Sequence, residues 1–301
     1  MYTKMLVPLD GSKTAEQVLP YARLLTSRFH KPLELIALID AVGMENESFD
    51  IGCTPYSTPV GQLIRCGEQY LQSIAASFDD PGVTYAIQQG PAAEGINQSA
   101  EEDAAMLIAI CTHGRSGIHR WLLGSVAEKV LRATVNPLLI VRAGEQSKYD
   151  GSSLLRSIVV PLDGSLLAES VLPFAIGMAK SLDIPLTLLR VYELPITAFM
   201  FGHGYYAFEM KPFMQLVKEQ AREYLEKKAR EIQKLGVERV SCVVREGLSA
   251  DQIIKCAAEA PDQLIVLCSH GRSGVRRWAL GSVTETVVRH TTNPVLVLRA
   301  K

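Results

Sequence analysis

Lys4-Met-Leu-Val-Pro-Leu-Asp10-Gly-Ser12 returns 153 residues later as Ser157-Ile-Val-Val-Pro-Leu-Asp163-Gly-Ser165. Each copy is a short apolar run stopped by Asp-Gly, which reads as a buried strand followed by a turn. The likeness continues in order along the chain. Ala15-Glu-Gln-Val-Leu-Pro-Tyr-Ala22 is matched by Ala168-Glu-Ser-Val-Leu-Pro-Phe-Ala175. Thr112-His-Gly-Arg-Ser-Gly117 and Ser269-His-Gly-Arg-Ser-Gly274 follow, now 157 residues apart, so the second copy has gained a few residues in between. Arg120-Trp-Leu-Leu-Gly-Ser-Val126 pairs with Arg277-Trp-Ala-Leu-Gly-Ser-Val283, and Asn136-Pro-Leu-Leu-Ile-Val-Arg142 with Asn293-Pro-Val-Leu-Val-Leu-Arg299. An ordered series of this length is a tandem duplication. It divides the chain into domains over 1–143 and 156–301, joined by a polar, Gly/Ser-rich linker over 144–155.

Within each copy, apolar runs of strand length alternate with segments of helical periodicity. The first copy reads as strands at Met5–Leu9, Leu33–Ile39, Val83–Gln88, Met106–Cys111 and Leu138–Arg142, with helices at Thr14–Phe29, Pro59–Phe78, Ala92–Ala100 and Ser125–Ala133. The second reads the same way, with its long helix expected to open at Pro212. Strands separated by helices imply parallel pairing. The expected fold is α/β: two tandem Rossmann-like, doubly wound domains, each a five-stranded parallel sheet with helices on both faces. The stretches Ala41–Thr58 and Leu194–Lys211 are the least regular and are expected to form loops or a short helix over the site. The second of them is the more aromatic, with Phe199, Phe201, Tyr205, Tyr206 and Phe208.

The bulk properties exclude several classes. At 301 residues, 48% hydrophobic and 21% charged, the chain has the balance of a folded globular protein. A net charge of -1 gives no basic field to recruit nucleic acid or anionic lipid. The amino terminus lacks the apolar core of a signal peptide, and no apolar run approaches a membrane span, so a cytoplasmic location is expected. Cys53, Cys66, Cys111, Cys242, Cys256 and Cys268 form no C-x-x-C pair. They read as reduced thiols, and no metal site is expected.

In a doubly wound sheet, ligands bind beyond the carboxyl ends of the strands, where the strand order reverses. Two features of each copy are directed there. One is the turn Asp10, Gly11, Ser12 and its counterpart Asp163, Gly164, Ser165. The other is the glycine-rich loop between the fourth strand and the last helix. Gly114, Gly117, Gly124 and Ser125 recur at identical spacing as Gly271, Gly274, Gly281 and Ser282. Glycines admit a phosphate close to the backbone, and the N–H groups of a helix start point at it. Ser125 and Ser282 are expected to cap their helices and to donate to a phosphate oxygen. Arg115 and Arg272 are candidate phosphate partners; Arg120 and Arg277 are weaker ones. His113 and His270, in the same loop, are counted among the nucleotide-binding candidates, but no carboxylate or nucleophile stands at a spacing that suggests acid–base chemistry; Trp121 and Trp278 read as loop supports.

Pro-Leu-Asp-Gly-Ser at the first strand, (Thr/Ser)-His-Gly-x9-Gly-Ser before the last helix and the Asn-Pro-led final strand together resemble the universal stress protein family in its tandem form. The likeness covers nearly the whole chain apart from the linker. It implies binding of an adenine nucleotide, ATP, with or without Mg2+. The ATP-binding members carry G-x2-G-x9-G-(S/T). Here Cys111 and Cys268 stand at the first glycine, keeping a backbone N–H but adding a side chain. The resemblance places Asp10 and Asp163 near the adenine and ribose, and Leu38 and Val191 against the adenine. It also implies that the final strands, as sheet edges, pair the domains within the chain, with room for a homodimer.

Three functions stay open at this point. The first is a nucleotide-binding stress-response sensor or adaptor with at most slow ATP hydrolysis. The second is an ATP-using enzyme, although neither a pyrophosphate loop nor G-x-x-x-x-G-K-(S/T) is present. The third is a dimerisation scaffold of the same fold that binds no nucleotide. The stress signal and the protein partner have no signature in the sequence.

Overall fold

A computed structural model of the chain describes residues 1–40, 60–78, 80, 82–112, 123–144, 154–193, 206–260, 262–269 and 280–299, with backbone alone at 206–211. The chain folds into two compact units. The first comprises Met1–Leu154 with Pro294–Arg299, and the second Leu155–Val275 with Leu280–Asn293.

In the first unit, β1 (Met5–Pro8), β2 (Leu33–Ile39), β3 (Val83–Gln89), β4 (Leu107–Thr112) and β5 (Leu138–Arg142) are mutually parallel. They lie in the order β3-β2-β1-β4-β5. Met5 pairs with Leu33 on one side and with Leu107 on the other. Met5, Leu6, Val7, Leu35, Ile36, Ala37, Ile108 and Ala109 are all 0% exposed. That is why these strands read as unbroken apolar runs: both faces of a parallel sheet are covered. A sixth strand, β10 (Val295–Leu298), lies antiparallel against β5, with Val295 opposite Ile140 and Val297 opposite Leu138. The last strand of the second repeat thus groups with the first unit, and the far side of β5 is not left as an open edge. Arg299, just beyond it, donates to the carbonyls of Leu131 and Thr134 at 2.6 and 2.9 Å, satisfying groups that the end of a helix leaves over.

The covering helices are a 3-10 turn (Ala15–Val18) leading into α1 (Leu19–Phe29), α2 (Val60–Ala76), α3 (Ala92–Glu101) and α4 (Ser125–Ala133). The single helix expected from residue 14 is therefore broken into two pieces, with Pro20 falling in the first turn of the second, where a missing N–H does no harm. Asn136 ties the unit together. Its amide nitrogen donates to the carbonyls of Ala100, Asp103 and Met106 at 3.0, 2.7 and 3.1 Å, joining the end of α3 and the entry to β4 to the start of β5.

The second unit repeats the plan with β6 (Ser157–Pro161), β7 (Leu186–Tyr192), β8 (Val240–Glu246) and β9 (Gln263–Cys268), parallel in the order β9-β6-β7-β8. Its helices are the single turn α5 (Leu166–Glu169), then α6 (Leu172–Leu182), α7 (Tyr206–Lys234), α8 (Ser249–Ala258) and α9 (Ser282–His290). Asn293 repeats the role of Asn136, donating to Ala260 and Gln263 carbonyls at 2.9 and 3.1 Å. The long helix departs from expectation. It begins at Tyr206, so Pro212 sits inside it, where its ring nitrogen has no hydrogen to give the carbonyl of Phe208.

Cys66, on α2, is in a disulfide, which corrects the expectation of six reduced thiols. Its partner lies outside the described residues. Cys111, Cys242, Cys256 and Cys268 are free. Among the described residues no helix is long and apolar enough to cross a membrane.

Candidate functional site

The strand order reverses between β1 and β4 in the first unit and between β6 and β9 in the second. Just beyond β1, Gly11 adopts a φ of 81°, available without strain only to glycine, and folds the chain back on Asp10. One carboxylate oxygen of Asp10 then accepts from the Ser12 N–H at 2.9 Å and from its hydroxyl at 2.6 Å, while the Ser12 hydroxyl oxygen accepts from Ala15 N–H at 3.1 Å. Asp163, Gly164 (φ 84°) and Ser165 reproduce the same turn with the same three distances. Local hydrogen bonding of this kind explains why Asp and Ser occupy the corners.

A supporting pair behind each turn escaped the sequence reading. The Tyr70 hydroxyl donates to Glu16 at 3.3 Å, and the Tyr224 hydroxyl to Glu169 at 2.8 Å. Burial, then Glu16 and Asp10, raise the Tyr70 phenol well above its ordinary pKa. Burial, Glu169 and Asp163 do the same for Tyr224, against an opposing pull from Arg190. The signal was present in the repeat: Glu68-Gln-Tyr-Leu71 aligns with Arg222-Glu-Tyr-Leu225.

Cys111, next to last in β4, lies close enough to Asp10 to feel its charge. Burial, followed by the Asp10 carboxylate, pushes its thiol up to about 12, against smaller opposing effects from the Thr112 backbone and Arg142. A thiol held in this way is no nucleophile at neutral pH. Cys268, its counterpart, is buried at the end of β9.

The last helix of each unit opens at its glycine. Gly124 and Gly281, not the serines, are the cap residues; Ser125 and Ser282 are the first helical residues, exposed at the helix start. This corrects the expected capping role, because a side chain already inside the first turn cannot reach forward to cap it. Gly124 has φ 62° and ψ 140°, whereas Gly281 has φ −65° and ψ 141°. The Gly281 N–H donates to the Ser269 carbonyl at 2.8 Å. The Gly124 N–H has no partner among the described residues.

Leu38 is buried at the carboxyl end of β2, where a Cβ built on Gly95 of α3 would come within 2.4 Å of it; Val191 is half-buried at the matching place on β7. Among these residues the structure joins Asp10, Gly11 and Ser12 in one turn, with Cys111 near enough to Asp10 to feel its charge, and Asp163, Gly164 and Ser165 in the matching turn, while Gly124-Ser125 and Gly281-Ser282 open the last helices. His113, Gly114, Arg115 and Gly117, with His270, Gly271, Arg272 and Gly274, lie outside the described residues, as do Arg120, Trp121, Arg277 and Trp278. Among the described residues no group of three or more His, Cys, Asp or Glu could hold a metal ion.

One family matches both repeats along the chain: the universal stress protein family profile covers residues 1–142 and again 155–299. The chain belongs to the universal stress protein family. Universal stress protein MJ0531 of Methanocaldococcus jannaschii is 30% identical over 150 residues, half of this chain and 85% of that protein. A universal stress protein of Mycolicibacterium smegmatis is 25% identical over 203 residues, 66% of this chain and 63% of its own length. The crystal structure of a universal stress protein from Archaeoglobus fulgidus shares the fold over 99% of this chain and 98% of its own, with a TM-score of 0.69 at 21% identity.

Proposed function

We propose that this tandem universal stress protein binds an adenine nucleotide, ATP in the first instance, and acts as a cytoplasmic stress-response sensor or adaptor. The observation that carries the reading is the start of α4. A glycine at positive φ presents a backbone N–H without a partner among the described residues, at the positive end of a nine-residue helix. Such a helix start is suited to a phosphate. The exposed Asp10 carboxylate, held by Gly11 and Ser12 at the same end of the sheet, has acceptor capacity suited to ribose hydroxyls. These residues fit the nucleotide, and Mg2+, if it binds, needs oxygen donors from the phosphates themselves.

The test is calorimetric titration of the purified protein with ATP. Replacing Gly124→Asp together with Gly281→Asp puts a carboxylate at each helix start and is expected to abolish binding. Unchanged affinity in the double variant sinks the site. Multiple turnover of ATP by the wild-type protein would move the reading towards an enzyme, and no binding of any nucleotide would move it towards a scaffold.

A further inference from the structure

The two repeats carry the same turn at the same spacing, yet two substitutions change what surrounds it. On the second strand, Ala37 of the first repeat corresponds to Arg190 of the second. Ala37 is fully buried and too short to reach the turn. Arg190 reaches it. Its guanidinium donates to the Leu162 carbonyl at 3.2 Å and rests over the Tyr224 ring at 5.5 Å. One of its nitrogens lies 2.9 Å from where a Cβ on Gly164 would be. The side chain thus spans the backbone on either side of Asp163. Asp10 is exposed, whereas Asp163 is half-buried.

The second substitution lies at the last helix. Ala127 of the first repeat corresponds to Thr284 of the second. The Thr284 hydroxyl donates to the Cys268 carbonyl at 2.8 Å, tying the helix start to the end of β9. Beside it, the Gly281 N–H is spent on the Ser269 carbonyl at 2.8 Å. Ala127 has no hydroxyl with which to do the same, and Gly124 turns to positive φ with its N–H unpartnered among the described residues. A donor already engaged inside the protein must give up that bond to serve a phosphate, so it contributes little net affinity.

We infer that the two repeats are not equivalent receivers: the first unit holds the site for a phosphate-bearing adenine nucleotide, while Arg190 and Thr284 close the corresponding place in the second from within. This rests on the nucleotide reading above and adds which unit serves and which residues decide it. Ala37 and Ala127 on one side, Arg190 and Thr284 on the other, are the determinants.

The experiment is titration calorimetry of the full chain with ATP, reading stoichiometry. Wild-type protein is expected to bind one equivalent, and Gly124→Asp alone to bind none. The double variant Arg190→Ala/Thr284→Ala is expected to bind two equivalents, one of which survives the addition of Gly124→Asp. If that variant melts early, Arg190→Met/Thr284→Val keeps the side-chain volumes and reads the same quantity. Two equal sites in wild type, binding retained by Gly124→Asp, or one equivalent in the folded double variant would each overturn the inference while leaving nucleotide binding intact. No binding by wild type overturns the functional reading itself, and this inference with it.

Discussion

Gly124→Ala and Gly281→Ala are the same change in the same motif, and the structure separates their outcomes. Gly124 stands at φ 62°, ψ 140°, a region that side chains with a Cβ rarely enter. Gly281 stands at φ −65°, ψ 141°, where any residue sits without strain. Replacing glycine by alanine lowers the entropy of the unfolded chain by the same amount at both positions, a stabilisation of about 0.4–1 kcal/mol, so that contribution cancels between them. What remains is the strain of holding alanine at the first position, about 1–3 kcal/mol. For a unit of this size each kcal/mol moves the melting temperature by about 2–4 °C. Gly124→Ala is therefore expected to melt roughly 2–12 °C below Gly281→Ala, which itself melts at or slightly above wild type. Differential scanning calorimetry of the three full-length proteins reads this directly. Equal melting temperatures for the two variants, or the reverse order, would refute the backbone difference and with it a Gly124 N–H left without a partner among the described residues.

Asn136→Leu leaves three carbonyls without their amide donor; with only two hydrogens on that nitrogen, the loss is worth about 2–4 kcal/mol, measured as a shift in denaturation midpoint. A loss under about 1 kcal/mol contradicts the assigned role. Cys111, its thiol pushed up to about 12, is expected to resist iodoacetamide at pH 8 in the folded protein and to react at an ordinary thiol rate once unfolded. Rapid labelling of the native protein counts against that environment. At Glu169, burial alone would raise the carboxyl, but hydrogen bonds from Lys228 and Tyr224 win and hold it below its ordinary value. A lowered folded pKa contributes stability that is present above the unfolded value of about 4.3 and lost as pH falls through the folded one. Glu169→Gln should therefore flatten the acid limb of a stability–pH curve below about pH 5; an unchanged limb contradicts the pairing.

The duplication and the strands could be read because a strand covered on both faces must be apolar throughout, and the two copies check each other residue by residue. The Asp-Gly-Ser turn could be read for a similar reason, since its chemistry is local. The helix starts could not. Gly-Ser is spelled identically at 124–125 and 281–282, and only the surroundings decide which glycine turns to positive φ. The expectation that the serines cap failed on one residue of register. Pro212 misled because proline usually opens a helix, yet here the backbone begins its coil at Tyr206. Arg190 was visible as a substitution for Ala37, but its importance depends on where a long flexible side chain comes to rest. The Tyr70–Glu16 and Tyr224–Glu169 pairs do not declare themselves in the sequence, because a tyrosine inside an amphipathic helix looks like core until its hydroxyl partner is known.

The grouping of Val295–Leu298 with the first unit also bears on how the protein comes to be made. Residues 1–142 encode five of that unit's six strands, but the sixth emerges from the ribosome only after the whole second repeat. Throughout that interval the outer side of Leu138–Arg142 presents bare amide and carbonyl groups of a buried-type apolar strand, a template that another nascent chain could pair with. The final contact spans a sequence separation of about 155 residues, which makes it a slow closing step. Translation order thus leaves the first unit with an unprotected period whose length is set by the synthesis time of its own duplicate.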